Sequence, residues 1–522
     1  MNDASPVRSL PEHLTQNWVI TKPGATGRAG MVVSQCRTAA LVGTEVLRAG
    51  GNAADAAVAT AFALAVLEPW NSGLGGIGHT VVQPAQGQAE VCDFGPVAPL
   101  KLDPARFELT GATKSDLFTW PEVKGDINIH GPLSFVAPSS VAGYASVHAR
   151  HGRMKLAELI APAVGLAKRG LPADWFTALK IASSAKDLRR YAESARIYLP
   201  DGLPPAPPYQ GDPAPIHQGN LAATLETLMQ DGIASFYTGD IARSIAKDVA
   251  DAGGALTMED LAAVAPRWNP ALNIEHRGTT LHAAPGMTAG PTLARVLSLM
   301  AGAPYGAAPD AAWFAHFARA MRQAYKERLD GAPAAATHTT HLTVADKDGM
   351  MVSMTTTLLS SMGSRYVLPS SGVLMNNGVM WFDPRPGAAN GIAPGKRPLT
   401  NMCPVVATRN GRPVLAAGAS GGRKILAAVA QMLAFTLDFG MTPEEAGHHP
   451  RIDVSGPDKV SADPRLPTAV LDALRADGAL ALAQHTVLPV NYACPNLIAR
   501  NEDGTLSGIS DAMIPWSAAV AA

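Results

Sequence analysis

Hydrophobic residues recur at intervals of three to four positions through much of the chain between residues 150 and 330. This spacing places apolar side chains on one face of a helix. It predicts helices over Leu156–Arg169, Leu221–Asp231, Gly239–Ala252 and Asp310–Leu329. The proline-rich stretch Leu203–Tyr209 between them is typical of a surface loop.

The N-terminal part of the chain combines a strand pattern from Gly30 with two helical patterns. A helix is predicted over Ala39–Ala49, and an apolar run follows over Ala53–Leu67. That run is shorter than the roughly 20 residues that a membrane span needs. It therefore predicts a buried helix, with Asn52 as the residue that caps its N-terminus.

The pattern changes to short β-strands at Thr339. Leu342–Val344 and Met351–Leu358 are rich in apolar and β-branched residues, and the turn residues Asp346–Gly349 separate them. This arrangement predicts a β-hairpin with Thr339 at the start of its first strand. A further helix is predicted over Lys424–Phe439.

Composition and charge narrow the classes of function. The 522 residues carry a formal net charge of −1 and include 16% charged residues, which gives no electrostatic reason to expect nucleic-acid or anionic-membrane binding. Met1–Pro23 contains charged residues and no apolar core, so a secretory signal is not expected there. The scattered cysteines predict buried free thiols and, with them, a cytoplasmic location: Cys36, Cys92, Cys403 and Cys494.

Thr339 is the candidate nucleophile. If the bond between His338 and Thr339 is cut, Thr339 gains a free α-amine, whose reference pKa of about 7.7 to 8 suits it as the general base for its own hydroxyl. The preceding segment Gly331–Ala336 is rich in small residues and suited to moving away after a cut. The alternatives are a strand threonine present for its β-propensity, and an uncut, inactive chain with a surface loop here.

Further blocks of sequence accompany Thr339-Thr340-His341-Leu342, namely Gly50–Ala57, Ser72–Gly78, Gly395–Leu399 and Gly418–Gly422. In this order, from about Gly30 to about Ile452, they resemble the γ-glutamyltransferase family of N-terminal-nucleophile hydrolases. The resemblance implies an α+β fold, the αββα four-layer sandwich. It also implies self-cleavage into a large subunit of residues 1–338 and a small subunit of residues 339–522. The two would remain one intertwined domain as a heterodimer, with further pairing left open.

The resemblance also assigns catalytic roles. Thr339 is the nucleophile, and Thr357 aligns with a second threonine whose hydroxyl holds it, although a plain strand threonine is the alternative for Thr357. Gly421 and Gly422 align with an oxyanion hole, in which two backbone N–H groups point at one oxygen before a helix start; a plain Gly-Gly turn is the alternative. No cofactor is implied, because nucleophile and base are one residue, and no His/Cys/Asp cluster has metal-ligand spacing.

The substrate-binding positions depart from those of enzymes that cleave γ-glutamyl amides. The family's carboxylate-binding arginine is Gly95 here, and its amine-binding aspartate is Trp381. The remaining positions of the set are Leu359, Asn377, Gly378, Thr400 and Asn401. Four of the changes, at Gly95, Leu359, Gly378 and Trp381, remove charge or hydrogen-bonding capacity. A glutamyl head group bound there would therefore lose roughly several kcal/mol of binding free energy. Arg365 and Arg397 remain candidates for binding a carboxylate.

The predicted activity is hydrolysis of the amide of a small non-γ-glutamyl substrate through an acyl-enzyme. Similar members of the family include oxamate amidohydrolase and cephalosporin-type acylases. The alternative is a γ-glutamyltransferase or glutathione hydrolase with a rearranged donor site, and a third interpretation is a processed, non-catalytic binding protein. The physiological amide, any acceptor other than water, and the oligomeric state stay open.

Overall fold

The computed structural model describes residues 20–115, 119–329, 338–456, 459–487 and 491–522. The first part of the predicted N-terminal lead-in and the predicted segment Gly331–Ala336 therefore lie outside the described residues. None of the described helices is long and apolar enough to cross a membrane.

The strands are numbered here in chain order. They are β1 (Ala25–Gly27), β2 (Gly30–Ser34), β3 (Ile77–Gln83), β4 (Glu90–Phe94), β5 (Leu109–Ser115), β6 (Thr119–Val123), β7 (Leu171–Pro172), β8 (Pro215–Ile216), β9 (Arg267–Pro270), β10 (Leu272–His276), β11 (Thr279–Ala283), β12 (His338–Asp346), β13 (Met351–Leu359), β14 (Val405–Arg409), β15 (Arg412–Ser420), β16 (Ile452–Asp453), β17 (Val460–Ala462), β18 (Leu480–Leu482), β19 (Cys494–Arg500), β20 (Leu506–Ser510) and β21 (Ala518–Ala521).

The α-helices are numbered in the same way. They are α1 (Arg37–Arg48), α2 (Ala53–Leu67), α3 (Ser140–His151), α4 (Leu156–Arg169), α5 (Trp175–Ala182), α6 (Ala185–Leu188), α7 (Ala192–Tyr198), α8 (Leu221–Asp231), α9 (Ala234–Tyr237), α10 (Asp240–Asp251), α11 (Met258–Ala262), α12 (Gly290–Met300), α13 (Ala311–Leu329), α14 (Lys424–Leu433), α15 (Pro443–His448) and α16 (Thr468–Ala476).

Most of the strands form two antiparallel sheets of seven strands each. Sheet I has the order β1-β20-β19-β15-β14-β11-β10, and sheet II has the order β21-β2-β12-β13-β3-β4-β9. Smaller sheets join β16, β17 and β18, β5 to β6, and β7 to β8. Strands from both sides of the predicted cut between residues 338 and 339 therefore contribute to each large sheet.

The two large sheets pack face to face and are covered by helices on their outer faces. Apolar side chains between the sheets include Met31, Val81, Ala345, Met351, Val406, Ala416 and Ile498. One helical layer, with α2 and α4, packs on the outer side of sheet II, and another, with α12, α13 and α14, packs on sheet I. These are the four layers of the αββα sandwich, so the predicted fold is confirmed.

Local predictions also agree with the structure. The hairpin forms as β12 and β13, and Asn52 caps α2 by accepting hydrogen bonds from the backbone N–H groups of Ala54 and Asp55. The predicted helix over Lys424–Phe439 is α14, continued by a π-helical turn over Ala434–Asp438. All four cysteines are buried as free thiols.

A glycine allows the two sheets to approach each other near the predicted nucleophile. An added Cβ at Gly418 on β15 would lie 2.1 Å from Cε1 of His341 on β12. Because a buried imidazole ring between two strands has little room to move, the sheets can meet here only without a side chain at this position.

Gly418→Ala is therefore expected to destabilise the protein by about 1 to 3 kcal/mol or more through overpacking. The matched control is Gly302→Ala, because an added Cβ at Gly302 meets no atom within 4 Å. Thermal unfolding of the two variants checks this expectation. Equal melting temperatures for both would show that the sheets can separate at His341 without cost.

Candidate active site

The alternation of side chains along β12 places Thr339 on the face of sheet II that meets sheet I. Ala345 and His341 share this face, since both contact the layer between the sheets. Thr340 and Leu342 lie on the opposite face, toward the helices. The register with β13 shifts between His338 and Thr340, which makes an irregular start to the strand at the predicted nucleophile.

Thr339 lies beside the second predicted catalytic threonine. Its Oγ1 donates a hydrogen bond to Oγ1 of Thr357 over 3.4 Å, and Thr339 is only 2% exposed. The Thr357 hydroxyl also accepts a hydrogen bond of 2.8 Å from the backbone N–H of Leu359. Leu359 has a φ of +83°, a strained conformation for leucine that ends β13. The hydroxyl of Thr357 is thus held in place from its far side.

His341 is a buried, structural histidine. Its Nδ1 lies 2.8 Å from Oγ1 of Thr355, and its backbone carbonyl accepts a hydrogen bond from the side-chain amide of Asn496 on sheet I. Burial lowers the pKa of His341 to about 3. The ring is therefore neutral near pH 7 and does not take up a proton there. Its contacts hold β12 in position.

Glu68 lies beneath β12 on its helix-facing side. Oγ1 of Thr340 donates a hydrogen bond of 2.7 Å to Oε2 of Glu68, which is completely buried at the C-terminus of α2. Burial raises the pKa of this carboxyl to about 7, although Thr340, Asn71 and the charge of Lys180 oppose the rise. A titrating carboxyl therefore contacts the residue next to the predicted nucleophile.

A chain of hydrogen bonds connects the end of β13 to the end of β15. The backbone N–H of Leu358 donates to the Asn71 carbonyl over 2.9 Å, and the Asn71 side-chain amide donates to Oε1 of Gln35 over 3.2 Å. The Gln35 amide donates in turn to Oγ of Ser420, the last residue of β15. The end of β13 and the start of the predicted oxyanion loop are thereby tied together.

Gly421 and Gly422 directly follow Ser420. Their φ angles are +131° and +64°, conformations that glycine adopts without strain. An added Cβ at Gly421 would lie 2.7 Å from the Ala493 backbone, so a side chain is also excluded by space. Because His341 packs on Gly418, the start of β12 and the end of β15 lie at the same end of the sandwich.

Two of the predicted substrate positions, Leu359 and Trp381, belong to one cluster of buried apolar side chains. Leu359, Met380 and Trp381 pack in it, and Trp381 is 2% exposed. Asn377 uses its amide within the protein, since Nδ2 donates to the Ile129 carbonyl over 2.7 Å and Oδ1 accepts from the N–H of Ser360 over 3.0 Å. The cluster therefore presents aliphatic and aromatic surface with few spare polar groups.

Gly378 and Thr400 also serve internal packing. An added Cβ at Gly378 would lie 2.4 Å from Val136, so this position accepts no side chain in the present packing. The backbone N–H of Thr400 donates to the Met287 carbonyl over 2.7 Å, and its own carbonyl accepts from Nη2 of Arg328 over 2.6 Å. Asn401 follows it and is half-buried.

Gly95 lies among three charged or polar side chains. An added Cβ would lie 2.9 Å from His79 Cε1 and 3.0 Å from both Arg397 Nη2 and Asp93 Oδ1. Arg397 forms an ion pair of 2.5 Å with Asp93. Burial alone would raise the pKa of the Asp93 carboxyl, but His79 and Arg397 together hold it well below its usual range. A cavity of about 260 Å³ adjoins Gly95.

The structure thus brings Thr339, Thr357 and Leu359 together and places Gly95 with another set of side chains. Sequence reasoning missed Glu68 and Gln35. Glu68 directly follows α2 and Gln35 directly follows β2, and no local pattern at either position signals its hydrogen bonds. Across the described ranges, no group of three or more His, Cys, Asp or Glu side chains could hold a metal ion.

Comparisons with known proteins identify similar chains. The sequence profile of the family described as Gamma-glutamyltranspeptidase matches residues 39–331 and 329–520. The chain is 30% identical to the Acylase ACY 1 proenzyme of Pseudomonas sp. (strain V22), over 96% of this chain and 95% of that protein. It is 29% identical to the glutathione hydrolase proenzyme of Escherichia coli (strain K12), over 93% and 90% of the two chains.

A solved structure with the same architecture is the crystal structure of cephalosporin acylase from Bacillus halodurans. It superposes with a TM-score of 0.83 at 25% sequence identity, over 98% of this chain and 99% of that one. The similarity therefore extends through both large sheets and the helical layers.

Glu68→Gln is expected to change how stability depends on pH. The pKa of Glu68 rises from 4.5 to about 7 on folding, so between these values the folded protein binds more protons than the unfolded chain. The free energy of unfolding of the wild type then falls as pH rises through this window and levels off above it. The variant lacks this loss, which is at most about 3 kcal/mol, and gains stability relative to the wild type between pH 4.5 and 7.

Melting temperatures measured from pH 4.5 to pH 8 check this expectation. Glu275→Gln is the matched control, because Glu275 is an exposed carboxylate that accepts a hydrogen bond of 2.9 Å from Thr280. A constant difference between wild type and Glu68→Gln across the window would contradict a raised pKa for Glu68.

Proposed function

The chain belongs to the gamma-glutamyltranspeptidase family, and we propose that it is a self-processing amidohydrolase with Thr339 as nucleophile, acting on small amides other than γ-glutamyl amides. The observation that carries the proposal is the hydrogen bond of 3.4 Å between the buried hydroxyls of Thr339 and Thr357. A second hydroxyl at this distance can hold the nucleophilic hydroxyl in position during both self-cleavage of the chain and hydrolysis of the substrate. The acylase relative supports the same class of reaction.

Processing begins with attack of Thr339 Oγ1 on the carbonyl carbon of His338. The C–N bond between the two residues breaks as the acyl group moves to oxygen, and the nitrogen takes up the hydroxyl proton to become a free α-amine. Water then hydrolyses the ester, which leaves a carboxylate on His338 and restores the Thr339 hydroxyl. The strands on both sides of the cut remain paired within sheets I and II.

Turnover uses the new amine as the base. It accepts the proton of Thr339 Oγ1 while this oxygen attacks the substrate carbonyl, and the backbone N–H groups of Gly421 and Gly422 stabilise the oxyanion. The proton passes to the departing amine, and an ester links the acyl group to Thr339. Water, activated by the same amine, hydrolyses this ester and regenerates the enzyme.

The acyl pocket favours a group without an ammonium ion. Trp381 occupies the position expected to bind the glutamyl amine, and it is buried with Leu359 and Met380 in the apolar cluster. An ammonium ion placed there loses its hydration without receiving an anionic partner. The second candidate is a glutathione hydrolase with a rearranged donor site, which the Escherichia coli relative favours.

Thr339→Ala is expected to leave the chain uncut and inactive, because it removes the hydroxyl that starts both reactions. Denaturing electrophoresis and intact mass would then show one chain of 54.2 kDa, whereas the wild type yields fragments that part between residues 338 and 339. Thr339→Ser keeps a hydroxyl and is expected to retain cleavage at a reduced rate.

Thr343→Val is the matched control for the nucleophile variants. Thr343 lies on the same strand, and its buried Oγ1 has no hydrogen-bond partner among the described residues. Its replacement removes a threonine hydroxyl without touching the proposed chemistry. Cleavage in Thr339→Ala, or loss of cleavage in a folded Thr343→Val, would contradict the assignment of the nucleophile.

The substrate proposal is tested with two 4-nitroanilides that differ by one ammonium group. Mass-verified, cleaved enzyme is expected to hydrolyse the glutaryl anilide with at least about 10-fold higher kcat/KM than the γ-glutamyl anilide, since an unpaired buried ammonium is costly. Ammonia release from oxamate is measured in parallel. Faster hydrolysis of the γ-glutamyl anilide would favour the second candidate.

A further inference from the structure

Glu68 is a buried carboxyl beneath the nucleophile strand that the proposed reaction does not use. It lies at the C-terminus of α2 and is 1% exposed. Its Oε2 accepts the hydrogen bond of 2.7 Å from Oγ1 of Thr340. Because Thr340 directly follows Thr339, this contact holds the chain immediately after the bond that is to be cut.

Thr339 itself lies at a bulge in the pairing of β12 with β13. The regular pairs on its two sides are His338 with Leu359 and Thr340 with Thr356. Thr339 alone therefore lies opposite two residues of β13. A bulge bends the strand locally and redirects the side chains beside it. The placement of the Thr339 hydroxyl thus depends on contacts from outside the hairpin as well as on the ladder.

The segment that follows α2 provides contacts to both strands at this bulge. The backbone N–H of Leu358 on β13 donates to the Asn71 carbonyl over 2.9 Å, and the backbone N–H of Asn71 donates to the Glu68 carbonyl over 2.8 Å. The Asn71 side chain is also hydrogen-bonded to the Glu68 carboxyl. Glu68 therefore contacts β12 through Thr340 and β13 through Asn71.

The same network reaches the proposed oxyanion loop. The side-chain amide of Asn71 donates to Oε1 of Gln35 over 3.2 Å, and the Gln35 amide donates to Oγ of Ser420. Ser420 directly precedes Gly421. One buried carboxyl is thereby connected to the neighbours of the nucleophile, of the second threonine and of the oxyanion loop.

Few charged groups act on Glu68 within the described part of the chain. Lys180 on α5 is 4% exposed, and its charge lowers the pKa of the carboxyl. The thiol of Cys36 stays neutral near pH 7, because burial and the charge of Glu68 raise its pKa to about 12. Burial outweighs Lys180 and the hydrogen bonds, so the pKa of Glu68 lies at about 7. The carboxyl therefore changes its charge near neutral pH.

We infer that Glu68 is a positioning residue for self-cleavage, which holds the nucleophile through Thr340 and Asn71 when its carboxyl is ionised and holds it less firmly when the carboxyl is protonated. This inference rests on the proposed function. An ionised carboxylate accepts hydrogen bonds only, as these two neighbours require, whereas a protonated carboxyl must also donate one. Hydrogen bonds to an ionised acceptor are also roughly twice as strong as those between neutral groups.

Self-cleavage reports on this carboxyl more directly than turnover does. The α-amine of Thr339 titrates near its reference pKa of about 7.7 to 8 during turnover, but it does not exist until the chain is cut. The ring of His341 is neutral over the same range, because burial lowers its pKa to about 3.

The test follows the cutting of full-length precursor that is made by cell-free synthesis and transferred to buffers from about pH 5.5 to about pH 8.5, on either side of the range in which the carboxyl titrates. Denaturing electrophoresis separates intact from cut chains. The cleavage rate of the wild type divided by that of Glu68→Gln is expected to be about 1 at the lowest pH and about 10 at the highest, as for the loss of one charge-assisted hydrogen bond. The midpoint is expected near pH 7, below which the wild type carries a neutral carboxyl that the amide resembles.

Glu275→Gln is the matched control, because it neutralises an exposed carboxylate that accepts a hydrogen bond from Thr280. It should be cut at the wild-type rate at every pH. A ratio for Glu68→Gln that does not change with pH would show that Glu68 only supports the fold, and would overturn the inference alone. A wild type that stays uncut at every pH would overturn the proposed self-processing and this inference with it.

Thr340→Val tests the path from Glu68 to the nucleophile, since it removes the hydroxyl that contacts the carboxyl and keeps the β-branched shape. It is expected to slow cutting about 10-fold at the highest pH, and Glu68→Gln combined with Thr340→Val is expected to be no slower than either single variant. Thr343→Val on the same strand is the control and should be cut like the wild type. Losses that multiply in the double variant would show that Glu68 acts independently of Thr340, and would overturn the inference.

Discussion

The alternation of side chains across the β12–β13 pair is the constraint on which the candidate site depends. Thr339 and Thr357 face sheet I, whereas Thr340 and Thr356 face the helices, where Thr356 bonds to the hydroxyl of Tyr144. A slip of one residue would exchange the two sets of hydroxyls and turn Thr339 and Thr357 toward the helices. The register is fixed on both faces, by His341 against Gly418 on one side and by Glu68 on the other.

Burial affects a carboxyl and a guanidinium differently in this structure. Glu68 relieves its burial by holding a proton more tightly, and its pKa rises to about 7. Arg423 has no such route, because its intrinsic pKa is too high for burial to neutralise it near pH 7. A buried carboxyl can therefore lose its charge beside β12, whereas the buried guanidinium of Arg423 keeps its charge and lies against the Tyr325 ring.

The sequence predicted what depends on local pattern and short motifs. The hairpin that carries Thr339 and the cap at Asn52 follow from turn residues, periodicity and a capping side chain. Glu68 and Gln35 could not be found in this way. Gln35 joins Ser420 across 385 positions of sequence, so its role exists only after the sheets have stacked.

Two of the predicted substrate positions, Gly95 and Trp381, are both taken up by contacts within the protein. At Gly95 the missing side chain leaves room for the Arg397–Asp93 pair, so an arginine restored there would displace an existing charge pair. Trp381 is buried among apolar side chains such as Leu359 and Met380, which offer no anionic partner to an ammonium ion. Both predicted substrate positions serve internal packing, so a zwitterionic head group placed at them would lose its hydration without receiving matched partners. In the proposed function, recognition of the acyl group then depends on the apolar cluster that contains Leu359 and Met380, which sets the shape of the pocket.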